Sequence, residues 1–238
     1  LNTHPPSFRL PSAREIVALH DALLTLPGWP QAGIEREADL APASHPAWNW
    51  IATNHRFNAL LWAEEDLARR TTVAAEAIAA NKRAIDGFNQ ARNDATERVD
   101  ELLLVALGLV DEASARTDAP VAQVPAGARL HSETAGSMAD RLSILALKVH
   151  AMRWQAGRSD VDEAHREASR GKLERLRQQR ADLANCLDAL LADAAAGRVY
   201  FKVYRQFKMY NDARFNPALV AEAKADQAGF QTAAGHQG

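Results

Sequence analysis

"NKRAIDGFNQARND", from Asn81 to Asp94, sets Asn, Asp, Gly and Gln among few apolar residues. It lies inside a longer run, about Thr72 to Leu107, whose hydrophobic pattern predicts a helix. Several of these side chains are weak helix formers that favour turns. On a helical wheel the conflict resolves. Ala84, Phe88 and Ala91 keep one apolar seam, extended by Ala77, Ala95 and Leu102. Spacings of three and four make the seam coiled-coil-like, and its alanines predict close helix approach. Lys82, Asn89, Asn93 and Thr96 flank it, and Arg83, Asp86, Gln90, Asp94 and Glu97 lie further round. The polar residues form an ordered face beside a buried seam, not a break in the helix.

The same reasoning extends in both directions. Ser12 followed by Glu15 is a capping box, and Ile16, Leu19 and Leu23 give its helix an apolar stripe that Pro27-Gly28 ends. Ser44-His45-Pro46 opens a second helix with Trp50, Phe57, Leu61 and Ala68 on one face and His55, Asn58, Trp62, Asp66 and Arg69 beside it. After a Pro-containing loop over about 108–131, a fourth helix begins near Ser132. It carries Met138, Leu142, Leu145, Val149 and Met152 on its apolar face, and Glu133, Ser137, Asp140, Arg141 and Lys148 on a polar one. A fifth runs from about Ser159 to Gly197 with Leu173, Leu176, Leu183, Leu187 and Leu190 as seam and Arg180 at one seam step. The stretch 199–211 is ambiguous between helix and strand, and the tail from about 218 is expected to fray. The expected fold is all-α, one domain over 1–238. It is an antiparallel bundle of about five main helices, two of them long.

Bulk properties narrow the function. With 238 residues and 47% hydrophobic side chains the chain can bury a real core. A net charge of −2 argues against binding nucleic acid mainly through phosphate neutralisation. One cysteine, Cys186, excludes an intramolecular disulfide, fits a cytoplasmic location and, set among leucines, reads as inert core. The apolar runs fall short of the roughly 18 residues that a membrane span needs. Leu1–Leu10 lacks the apolar segment of a signal peptide, and a start at Leu1 rather than Met leaves room for residues upstream.

Three helices thus place a polar face beside a seam. Buried charges must be paired, and Arg or Lys in excess of local carboxylates can hold a phosphate or carboxylate. Arg83, Arg92 and Arg141 are the candidate phosphate grips. His55, with Asp86 or Asp140, is the candidate proton-transfer set. Asn58, Asp66, Lys82, Asn89, Asn93, Asp94, Glu133 and Ser137 complete the ligand-binding set. The competing reading of each is a solvated helix face with local ion pairs such as Lys82–Asp86. No metal ligands and no cofactor are assigned: HExxH, Cys/His clusters and Gly-rich phosphate loops are absent. Glu97-x-x-Asp100 resembles the second half of the magnesium set of all-α nucleotide pyrophosphohydrolases, without the E-x-x-E of the first half. Lys202, Arg205 and Lys208 among aromatics could stack bases or sugars, but an amphipathic segment closing the bundle is preferred.

Four motifs in order carry a family resemblance: "WIATNHRFNALLWAEEDLAR" from Trp50, "NKRAIDGFNQARND" from Asn81, "SETAGSMADRLSILALKVHAM" from Ser132 and "VYRQFKMYND" from Val203. Together they resemble the bacterial family called domain of unknown function 4254, from about Trp48 to Pro217. The resemblance implies a soluble bacterial protein, associated by gene neighbourhood with glycosyltransferases of cell-surface polysaccharide assembly. It implies no activity, and marks the polar set above without assigning roles.

Three functions remain in competition. One is a helical protein that binds, and could transform, an anionic ligand such as a phosphorylated sugar or nucleotide sugar. The second is a non-catalytic partner or scaffold for a glycosyltransferase, or a homodimer built on its alanine or leucine seams. The third is a metal-dependent nucleotide hydrolase.

Overall fold

The computed structural model describes residues 9–31, 42, 44–206 and 214–234. Helices α1 (Ala13–Leu23), α2 (Ala47–Ala68), α3 (Ala75–Ala106), the single turn α4 (Glu112–Ala115), α5 (Ala135–Ala156) and α6 (Glu163–Ala195) dominate it. Two short strands, β1 (Arg129–Leu130) and β2 (Val199–Tyr200), pair in parallel. The chain divides after Tyr204, and α7 (Pro217–Ala234) lies in the second unit.

Helix starts follow local chemistry. Ser12 and Glu15 form the expected capping box on α1, and Thr134 and Ser137 form a second on α5. The Asp162 side chain accepts the His165 N–H at the start of α6. Gly197, at φ 69°, turns the chain out of α6 into β2.

Asn81–Asp94 is helical throughout. Its turn-forming side chains bond to other side chains. Asn81 donates to Glu64 at 2.6 Å and accepts from Arg70 at 3.2 Å, joining α3 to α2. Gln90 donates to Asp94 at 2.6 Å. The seam of α3, however, is rotated from the expected one. Ile85, Ala95, Val99, Leu103 and Leu104 are buried, while Ala77, Ala84, Ala91 and Leu102 are only half-buried. Larger side chains supply more apolar area, so they face the core and the alanines take its margin.

The α2 seam is also rotated. Trp48, Ile51, Ala52, His55 and Ala59 face inward, and Trp50 is exposed. Trp48, Ile51, Leu104, Leu142, Leu187 and Phe201 are almost wholly buried at the centre of the core. Arg180, at its seam step on α6, pairs with Asp21 of α1 at 2.6 Å. Cys186 is exposed rather than core, because Leu183, Leu187 and Leu190 carry the buried face of α6. In the ambiguous stretch 199–211, Val199–Tyr200 is strand, and residues from 207 to 211 lie outside the described residues. No helix among the described residues is long and apolar enough to cross a membrane.

Candidate functional site

α2, α3 and α5 meet along a line of polar side chains. Asn54 and Asn58, one turn apart on α2, both donate through Nδ2 to Asp140 Oδ1 of α5, at 2.9 and 2.8 Å. The other oxygen of Asp140 accepts Nη1 of Arg92 from α3 at 3.2 Å. Arg92 Nη2 is held by Asn89 at 3.1 Å. Asn54 also donates to Thr96, whose hydroxyl donates to the Arg92 carbonyl. One carboxylate therefore connects three helices and orients a guanidinium. The Nε of Arg92 is buried and has no hydrogen-bond partner within the protein.

Behind this cluster lies a sealed pair of histidines. His55 Nε2 lies 3.2 Å from the His20 carbonyl. A carbonyl can only accept, so Nε2 carries the proton and Nδ1 accepts the Ser143 hydroxyl at 2.7 Å. The Ser143 oxygen in turn accepts from Asn58 at 3.0 Å. Burial pushes His55 down to about 3, so the ring is neutral. It stacks on His20 at 4.3 Å and on Trp29 at 5.0 Å. Burial likewise drives His20 well below its ordinary value, and neither His20 nitrogen has a hydrogen-bond partner.

A third feature stands at the start of α5. The Gly136 N–H donates to buried Asp100 Oδ1 at 2.6 Å. A Cβ on Gly136 would lie 2.4 Å from the Thr96 carbonyl oxygen, so α3 and α5 touch backbone to backbone here. Burial raises Asp100 to about 7, against the lowering effect of its Thr134 and Gly136 hydrogen bonds.

The polar line opens outward into a hollow of about 350 Å³. Asn58, Asn89 and Arg92 form its inner wall, and Trp62, Glu65, Asp66 and Arg69 its mouth. Arg69 pairs with Glu65 at 3.0 Å.

Of the residues singled out in the sequence, Asn58, Asp66, Asn89 and Arg92 line this hollow, with His55 and Asp140 behind it. Others lie elsewhere. Lys82 and Asp86 pair with each other at 2.6 Å on the exposed side of α3. Arg83 and Asp94 are exposed, and Asn93 is buried. Glu133 and Arg141 pair with each other beside a different groove. Ser137 serves the α5 capping box. Sequence reasoning missed His20, Asn54 and Ser143 as members of the network, and Asp100 as a buried helix-start acceptor. The available signal was spacing: Asn54 stands four before Asn58, Ser143 three after Asp140, and His20 four after Ile16. Among the described residues no three His, Cys, Asp or Glu side chains converge as a metal site would require.

The model of a family described as a protein of unknown function matches residues 48–203, from the first turn of α2 to just past β2. The chain belongs to the family called domain of unknown function 4254. No curated protein and no solved structure matches it. The 4254 segment holds the whole Asn54–Asn58–Asp140–Arg92 cluster. His20 and Trp29, which cover His55, come from outside it.

Proposed function

We propose that the protein binds a small, hydroxyl-bearing anion in the hollow between α2, α3 and α5, of the class of phosphorylated sugars or nucleotide sugars. The supporting observation is Arg92. Its guanidinium is fixed by Asp140 and Asn89 before any ligand arrives, and it lies on the wall of a hollow with its Nε unpartnered. A pre-oriented guanidinium loses little entropy on meeting a phosphate. The Asn58 and Asn89 amides and the Glu65 and Asp66 carboxylates are groups that hydrogen-bond sugar hydroxyls. His55, neutral and with both nitrogens engaged, acts in this reading as a positioning residue that holds Ser143 and, through it, Asn58. Binding is thereby favoured over proton transfer at His55.

The wider setting is part of the same proposal: a cytoplasmic bacterial protein serving surface-glycan assembly. It is an antiparallel bundle, since packed pairs α2–α3 and α5–α6 are joined by short links. A thermal-shift panel of sugar phosphates and nucleotide sugars tests the reading. Stabilisation of the wild type that Arg92→Ala abolishes supports it; no shift with any member of the panel opposes it.

A further inference from the structure

A second and larger hollow lies between α5 and α6. Its main part encloses about 900 Å³ over an apolar floor that includes Met138, Leu145, Leu183 and Leu190. It meets a smaller hollow of about 280 Å³, because Lys148 and Gln179 line both. From Met138 to Met152 along α5 the combined groove is roughly 21 Å long at the rise of an α-helix.

Charge is distributed unevenly along it. The smaller hollow is lined by Lys148, Lys172 and Arg175, with no carboxylate among its lining residues. None of these three cations forms an ion pair among the described residues, although most arginines of α6 do so with neighbouring Glu or Asp. In the larger part, two of the three carboxylates are already paired: Glu133 with Arg141 and Asp193 with Arg198. A groove with an apolar length and three uncompensated cations at one end is complementary to a molecule of the same plan. A second copy of the chain on this face would bring like charges together unless the acidic groups of the groove were free, and two of the three are paired.

We propose that the α5–α6 groove binds an amphipathic anion, an apolar chain ending in a phosphate. The chain lies over Leu145, Leu183 and Leu190, and the phosphate sits in the smaller hollow among Lys148, Lys172 and Arg175. Burial of the apolar chain supplies affinity and the cations fix its direction. The volume of the larger part lies within the range of small-molecule sites.

Titration calorimetry with dodecyl phosphate below its micelle concentration tests this on the full chain, with vesicles containing an anionic phospholipid as a parallel arm. The expected result is saturable one-to-one binding of the monomeric amphiphile, or flotation with anionic but not neutral vesicles. Lys148→Gln, Lys172→Gln and Arg175→Gln together should weaken it at least about tenfold. So should Ala189→Glu, which puts a carboxylate on an exposed part of the floor without emptying the core. Lys82→Gln, which removes an exposed cation of α3 that lines neither hollow, should leave it unchanged. Binding equally well to inorganic phosphate alone, binding that survives both variants, or no binding in either arm overturns the proposal. So does light scattering that finds a dimer which Ala189→Glu converts to a monomer.

Discussion

Asp140 Oδ2 and Arg92 Nη1 meet at 3.2 Å across the α3–α5 interface, while Asp140 Oδ1 holds two amides from α2. The carboxylate is bonded to side chains of two other helices, as is Asn54, which donates to Thr96 of α3 and to Asp140 of α5. Substituting Asp140→Asn keeps an acceptor for Asn54 and Asn58 but turns an N–H toward Arg92. We expect a stability loss of about 1–3 kcal/mol, the typical cost of leaving a buried donor without its acceptor. Urea unfolding checks it: the midpoint falls and the slope stays the same. Sugar-phosphate affinity should fall with it, since Arg92 is no longer held.

Two glycines separate packing from propensity. At Gly136 a methyl group meets the Thr96 backbone oxygen at 2.4 Å, which no side-chain rotation relieves. Gly136→Ala should cost about 1–3 kcal/mol as an overpacked contact. Gly87 is helical with nothing within 4 Å of a Cβ. Gly87→Ala should instead stabilise by about 0.5–1 kcal/mol. Thermal unfolding midpoints moving in opposite directions confirm the pair; equal shifts contradict it.

Removing the Ser143 hydroxyl tests the buried relay. Ser143→Ala leaves His55 Nδ1 without its donor and Asn58 with one acceptor fewer. The expected cost is about 1–3 kcal/mol. If the stability of Ser143→Ala equals that of the wild type, the hydroxyl does not hold the ring.

The pH dependence carries two opposed contributions. His55 titrates near 3 folded and near 6.5 unfolded, and His20 is depressed in the same direction. Below pH 6.5 the unfolded chain takes up two protons that the folded chain refuses, so this stability is lost as pH falls toward 3. Asp100 has the reverse sign. Its folded value of about 7 exceeds the ordinary 3.8, so its share of stability is present below 3.8 and is lost as pH rises to 7. Between pH 4 and 6.5 Asp100 cancels one of the two histidine protons. Asp100→Asn should therefore steepen the acid loss of stability, by about 1.4 kcal/mol per pH unit, and raise stability at pH 8. A denaturation series across pH 4–8 reads both effects; parallel curves for variant and wild type contradict the assignment.

Caps and helix boundaries were legible because they depend on neighbours in sequence. Ser12 with Glu15, and Gly197, act where the sequence places them, and α5 begins at Ala135, close to the expected start near Ser132. The buried faces were less legible. On α3 the alanine series Ala77, Ala84, Ala91 has the right period but lies one step from Ile85, Val99 and Leu103, which face the core. Periodicity gives a helix's stripe, and only tertiary packing selects among adjacent stripes. The same error hid part of the site. With Trp50 on the apolar stripe, Asn54, four residues on, counts as a stripe position and not as part of the polar face, although it is one turn from Asn58. Lys82, Arg83 and Asp86, the most charged part of the opening stretch, face outward; Asn89 and Arg92, a turn or two later, line the hollow.

We propose that a pre-oriented Arg92 makes the α2–α3–α5 hollow an anion site. The most direct measurement is titration calorimetry of glucose 1-phosphate and uridine diphosphate glucose into wild type and Arg92→Gln, with Lys82→Gln as the surface control. Saturable binding to wild type and Lys82→Gln, weakened at least about tenfold in Arg92→Gln, is the predicted result. Binding that is unchanged in Arg92→Gln, or absent from the wild type for both ligands, would contradict it.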